Sequence, residues 1–247
     1  MMSDSDVVSS GAPQQQAQKG FVARLLGVFF SPAETFEDIA RKPTIWAPLL
    51  LLAVVQGAFL YTTAQAQGQD TAAITENSSF LQRLPEEQRA EIVEQQRNPS
   101  PARRLISAVV GPVFVIVIML FFTLLYWGAG NLLGGQPTFK KVFSMVLFAS
   151  MIALVVGQLV KLPLILAKNT VAGVTFSPAM LMPDLEVTST QFRLWSFFDL
   201  FALWGTVVTG IGLAKVSGFS TVKGVVTAFV FYAAFAGIGF ALGSLFL

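Results

Sequence analysis

Few of the residue types in this chain can do chemistry. With no Cys and no His among 247 residues, thiolate nucleophiles and metal sites, the commonest metal ligand and the commonest general base are all missing. Inside the long apolar stretches only one amine and one carboxylate remain, Lys161 and Asp199. Acid–base hydrolysis by paired carboxylates needs two acids in one site, so this supply argues against an intramembrane hydrolase. A charge in an apolar stretch is costly and therefore informative. Each of the two lies within about one to two turns of the end of its stretch. The expectation is an intramembrane ion pair between Lys161 and Asp199. The alternatives are that Lys161 snorkels to headgroups while Asp199 sits in interfacial water, or that both belong to an ion path. No cofactor and no metal are expected.

The elements that must position these groups follow from composition. Apolar residues make up 54% of the chain and charged residues 12%, against roughly 25% charged in soluble domains. The apolar residues gather into five blocks, residues 45–64, 105–125, 142–166, 194–214 and 225–247. About twenty residues at 1.5 Å each span a ~30 Å hydrocarbon core. The expected fold is therefore all-α, a polytopic membrane protein built as a bundle of five transmembrane helices. Residues 1–20 read as a disordered polar tail. Residues 21–42 read as two amphipathic interfacial helices, the second opened by Ser31, Pro32 and Glu34 in the pattern of a capping box. Residues 65–104 form a polar loop in which 85–97 reads as a short surface helix, and 169–193 is a second polar connector. Gln56 and Gln158 are polar residues within the spans, suited to bonding between helices or to lining a cavity. Gly239 and Gly243 have the small-xxx-small spacing that lets helices approach closely, within the chain or in a homo-oligomer.

Orientation follows from basic residues close to span ends. A cytoplasmic N-terminus places Arg24, Arg41, Lys42, Lys140, Lys141, Lys215 and Lys223 on the inner side, as contacts for anionic lipid headgroups or a cytosolic protein. Glu76, Glu86, Glu87, Glu91, Glu94, Asp184 and Glu186 then lie outside. Arg103 and Arg104 run against this pattern, flanking the second span on the outer side. A net charge of +2 with scattered basic residues excludes nucleic acid as a partner. The lipid bilayer is the partner that composition demands.

The order of local motifs resembles a family. Phe30-Ser31-Pro32-Ala33-Glu34-Thr35-Phe36, Lys42-Pro43, Trp46-Ala47-Pro48 and five apolar spans are similar to the prokaryotic branch of the Yip1 family of polytopic membrane proteins. Leu133-Gly134-Gly135 with Phe139-Lys140, and Gly218-Phe219-Ser220 with Lys223-Gly224, add to the likeness, which runs from Phe21 to the end of residues 43–247. The resemblance implies a non-enzymatic five-helix protein of a bacterial cytoplasmic membrane. Eukaryotic members associate with Rab GTPases, but the Asp-Leu-Tyr-Gly-Pro motif of that branch is missing before the first span, so the Rab role is not carried over. The expected function is a scaffold or organiser of membrane or partner proteins. The alternative is a small-molecule permease or channel subunit.

Overall fold

The computed structural model describes residues 19–76, 78, 81–182, 184–187 and 189–245, so residues 1–18 of the expected tail lie outside the described residues. Two short helices open the chain, α1 (Phe21–Phe30) and α2 (Pro32–Arg41). Pro32 takes the first helical position, but Ser31 does not cap α2 with its side chain. Its ψ of 59° departs from the extended 146–154° at Ser100, Thr138 and Ser189, whose hydroxyls do accept from their helices. The capping box is thus corrected to a simple break between two packed helices.

Next come α3 (Trp46–Thr62) and α4 (Ala64–Glu76), bent by 65° where they meet at Thr63. Then follow α5 (Glu86–Arg97) and α6 (Pro101–Leu132). The polar loop expected at 65–104 is therefore mostly a helical hairpin of α4 and α5. Polar residues can stay helical when water solvates them and one apolar edge, Ala72, Leu81 and Val93, is buried between the two helices. At 32 residues α6 measures about 48 Å, longer than the ~30 Å core, so one end rises clear of it.

The third span is continuous from Phe139 to Lys168, as α7 (Phe139–Met151), a π-helical segment (Ile152–Gly157) and α8 (Gln158–Lys168). After α9 (Thr190–Ser196) come α10 (Leu200–Ser217) and α11 (Thr221–Leu245). The fourth span thus begins at Leu200, where residues 194–214 were expected. The chain breaks at 197–199, and Asp199 starts a new helix by accepting from the N–H groups of Phe201 at 3.1 Å and Ala202 at 3.3 Å. Among the described residues four helices are long and apolar enough to cross a membrane, and the bent pair α3–α4 makes a fifth where the pair is one span. The chain is an all-α, multi-pass membrane protein.

The core sits around α7. Eight consecutive residues, Val142 to Ala149, are buried, so this helix is enclosed on every side. Val28, Phe36 and Ile39 of the N-terminal pair join the same cluster, with Leu52, Met119, Val208 and Leu213 from α3, α6 and α10. The outer faces are apolar as well. On α3, Trp46, Leu50 and Val54 form an exposed stripe at helical spacing, the surface that lipid solvates. Helices α10 and α11 touch backbone to backbone, since a Cβ added to Gly224 would lie 2.2 Å from the Gly210 carbonyl oxygen.

Candidate functional site

Charged side chains define a clamp at each end of the bundle. At the first end, α1 and α2 dock on α7 and α10. Arg24 was expected at headgroup level, and the structure corrects this: it is 1% exposed. Its Nε donates to Asp38 Oδ2 at 2.7 Å, and Nη1 donates to the Lys42 carbonyl at 3.0 Å and to Thr44 Oγ1 at 3.1 Å. Ser144 of α7 in turn donates to the Thr44 carbonyl at 2.8 Å and accepts from the Thr44 N–H. A guanidinium forks to several acceptors at once, which explains why Arg turns inward here while Val22, Leu26 and Phe30 of α1 turn outward, 64%, 55% and 83% exposed. The sequence signal for this inversion was Asp38, an acid within the amphipathic segment.

The other expected contacts gather around this clamp. Lys215 lies 2.5 Å from Glu37 Oε1. The hydrogen bond and charge of Lys215, with Arg41 adding less, hold the Glu37 carboxyl below the usual carboxylate value. Lys223 donates to the Leu133 carbonyl and lies 5.3 Å from the Phe219 ring centre. Arg41, Lys42 and Lys140 are exposed and Lys141 is half-buried. The turns 133–138 and 218–220 therefore share one end with the N-terminal pair.

At the opposite end, Lys161 Nζ lies 2.7 Å from Asp199 Oδ2, with the two side chains 21% and 10% exposed. The same oxygen accepts from Thr175 Oγ1 at 3.2 Å and from the Phe176 N–H at 3.0 Å, while Oδ1 caps α10. Lys161 also lies 5.9 Å from the Phe201 ring centre. Sequence reasoning missed Thr175 and Phe176, and it missed the capping role, for which Asp immediately before an apolar run was the available signal. A second carboxylate does similar work nearby. Asp70 of α4 accepts from Thr170 Oγ1 at 2.5 Å and from the N–H groups of Val171 and Ala172 at 2.7 and 2.8 Å, tying the two polar connectors together.

Other expected residues are not brought together. A Cβ at Gly239 would meet nothing within 4 Å among the described residues, its carbonyl accepts from Arg193 of α9 at 3.3 Å, and the surroundings of Gly243 lie outside the described residues. Gln56 is 5% exposed, and its Oε1, like that of Gln158, is buried without a hydrogen-bond partner among the described residues. Crevices open on the surface, three of them between the helices of the bundle. One of about 610 Å³ lies between α9, α10 and α11 beside Trp195 and Tyr232, and one of about 320 Å³ lies between α6, α7 and α10 beside Tyr126. A third, of about 160 Å³, is polar and lies between α4, α5 and α6. Among the described residues no cluster of three or more acids could hold a metal ion.

A family model described as the Yip1 domain matches residues 26–243. The chain is also 30% identical over 210 residues to "Membrane protein YknW" of Bacillus subtilis (strain 168), an alignment covering 84% of each chain. No solved structure matches it.

Proposed function

The chain belongs to the Yip1 family of membrane proteins, and from that premise we propose that it is a non-enzymatic scaffold in a bacterial cytoplasmic membrane. Its N-terminal pair, α1 and α2, forms the working face, turned to the cytoplasm and engaging anionic lipid together with a partner protein. One observation carries this reading: α7 is enclosed by side chains from Val142 to Ala149 at the centre of the bundle, and the N-terminal pair is fixed to that centre by Arg24 and by Phe36 and Ile39. Such an arrangement favours a rigid platform over a moving gate. The platform presents the apolar stripe Val22, Leu26 and Phe30 beside Arg41, Lys42 and Lys140, the combination that suits the interface of an anionic leaflet.

The test uses a photo-crosslinking residue placed at Phe30 or at Lys140 in cells, with Val54 on the lipid-facing side of α3 as control. A discrete protein adduct at the first two positions and only lipid at the third is expected. The same protein adduct at all three would overturn the platform. A second reading, a small-molecule permease, is favoured by the orphan carbonyls of Gln56 and Gln158. Saturable solute uptake into proteoliposomes, lost on Gln56→Leu, would establish it in place of the scaffold.

A further inference from the structure

Arg103 and Arg104 break the charge pattern of the sequence, and neither clamp uses them. Both line the pocket of about 160 Å³ between α4, α5 and α6, together with Gln67, Thr71, Gln96 and Ser107. Each guanidinium uses one donor on a backbone carbonyl, Arg103 Nη1 on Gln95 at 3.3 Å and Arg104 Nε on Pro99 at 3.1 Å. That leaves four of the five N–H donors on each for another acceptor. No Asp or Glu lines the pocket. The charge of two arginines is therefore uncompensated at this spot, which suits a bound anion.

Gln96 lines the pocket as well, held in place by close packing, since a Cβ on Gly68 of α4 would lie 2.0 Å from the Gln96 carbonyl oxygen. At about 160 Å³ the pocket has room for several waters or a small polar group. Directly beyond the arginines, Leu105, Ile106, Val109 and Val110 are 58–70% exposed. Lipid tails would cover those side chains, which sets the pocket at headgroup depth.

We propose that this pocket binds the phosphate of a phosphate ester, of which an anionic lipid headgroup is the form its depth favours. Arg103 and Arg104 hold the phosphate oxygens. The site lies on the face opposite the N-terminal pair and does not depend on the scaffold reading.

The experiment measures binding to the purified full chain in uncharged detergent by calorimetry, with dihexanoyl phosphatidylglycerol, dihexanoyl phosphatidylcholine and glycerol 3-phosphate as probes. Saturable binding of phosphatidylglycerol is expected, about tenfold tighter than phosphatidylcholine, whose choline cation offsets the phosphate charge. Arg103→Gln or Arg104→Gln should weaken phosphatidylglycerol by about tenfold. Arg83→Gln, exposed and outside the pocket, should change nothing. Competition by equimolar glycerol 3-phosphate would identify a free phosphate ester as the ligand, and its failure to compete would identify the lipid; the site stands in either case. Absence of saturable binding by every phosphate probe would overturn the proposal. So would a loss on Arg83→Gln equal to that on Arg104→Gln, which would mean surface charge alone. If Arg104→Gln does not fold, Arg104→Lys keeps the charge without the fork, and wild-type affinity in that variant would overturn the proposal equally.

Discussion

Removing Asp199 should cost far more than removing Lys161, although the two form one ion pair. Asp199→Ala deletes the acceptor that starts α10, about 1 kcal/mol for an N-cap. It also strips Thr175 and the Phe176 N–H of their acceptor, roughly another 1 kcal/mol. Finally it leaves Lys161 unpaired. Breaking a fully buried pair costs ~3–5 kcal/mol, and with Lys161 21% exposed at a span end about 2 kcal/mol is a fair discount. The total is about 4 kcal/mol. Lys161→Met, in contrast, leaves Asp199 with four other donors, Thr175, Phe176, Phe201 and Ala202, so about 1 kcal/mol is expected. The double variant removes the stranded ammonium and should be more stable than Asp199→Ala by about 1–2 kcal/mol. Reversible unfolding in mixed detergent–SDS micelles, followed by Trp fluorescence, gives the four corners of the cycle. A coupling energy below about 0.5 kcal/mol, the range of independent sites, would refute the pairing argument.

Four further outcomes are expected. Arg24→Ala should destabilise by about 3–5 kcal/mol, and Arg24→Lys should recover less than half, because a single ammonium cannot serve Asp38, Lys42 and Thr44 together; a near-neutral Arg24→Ala in the same unfolding assay would contradict this. Gly224→Ala should cost about 1–3 kcal/mol through overpacking against Gly210, whereas Gly239→Ala should stay within about 0.5 kcal/mol, and equal effects would remove the assigned α10–α11 contact. Asp70→Ala should free the connector at 170–172, and one charge-assisted bond is worth enough to speed trypsin cleavage after Lys168 about tenfold, as read by peptide mapping. For topology, single cysteines at Gln136 and Ser100, both exposed, should react with a membrane-impermeant thiol reagent on intact cells at Ser100→Cys alone; labelling of Gln136→Cys alone would reverse the orientation.

Much of the architecture was legible because the solvent is lipid. Residues in hydrocarbon must be apolar over a set length and must satisfy their backbone internally, so helical class and multi-pass character appear directly as blocks such as 105–125 and 142–166. Block edges were less legible. The fourth span moved to Leu200 because Phe197 and Phe198 continue the apolar composition while the chain breaks at Asp199, and hydropathy does not distinguish a cap from an interior acid. Outside the helix expected at 85–97, the connector at 65–104 looked like a loop because polarity was read as irregularity, whereas α4 too is a polar helix, joined to α5 along one thin apolar edge.

The sequence by itself determined that this protein lives in a bilayer, roughly where it enters and leaves, and which rare charges must be accounted for there. Length and transfer free energy are local properties, and a single chain displays them without any partner. Only the tertiary structure decided what those charges meet. Arg24 turned inward because Asp38 and Thr44 converge on it, Thr44 being held in turn by Ser144 of a distant helix, and Asp70 found Thr170 across 100 positions of chain. It also decided which glycines matter, Gly210 and Gly224 where two backbones touch rather than Gly239 on an open face. Spacing along one helix states what a residue offers; whether another helix stands there to receive it depends on packing between segments far apart in the chain.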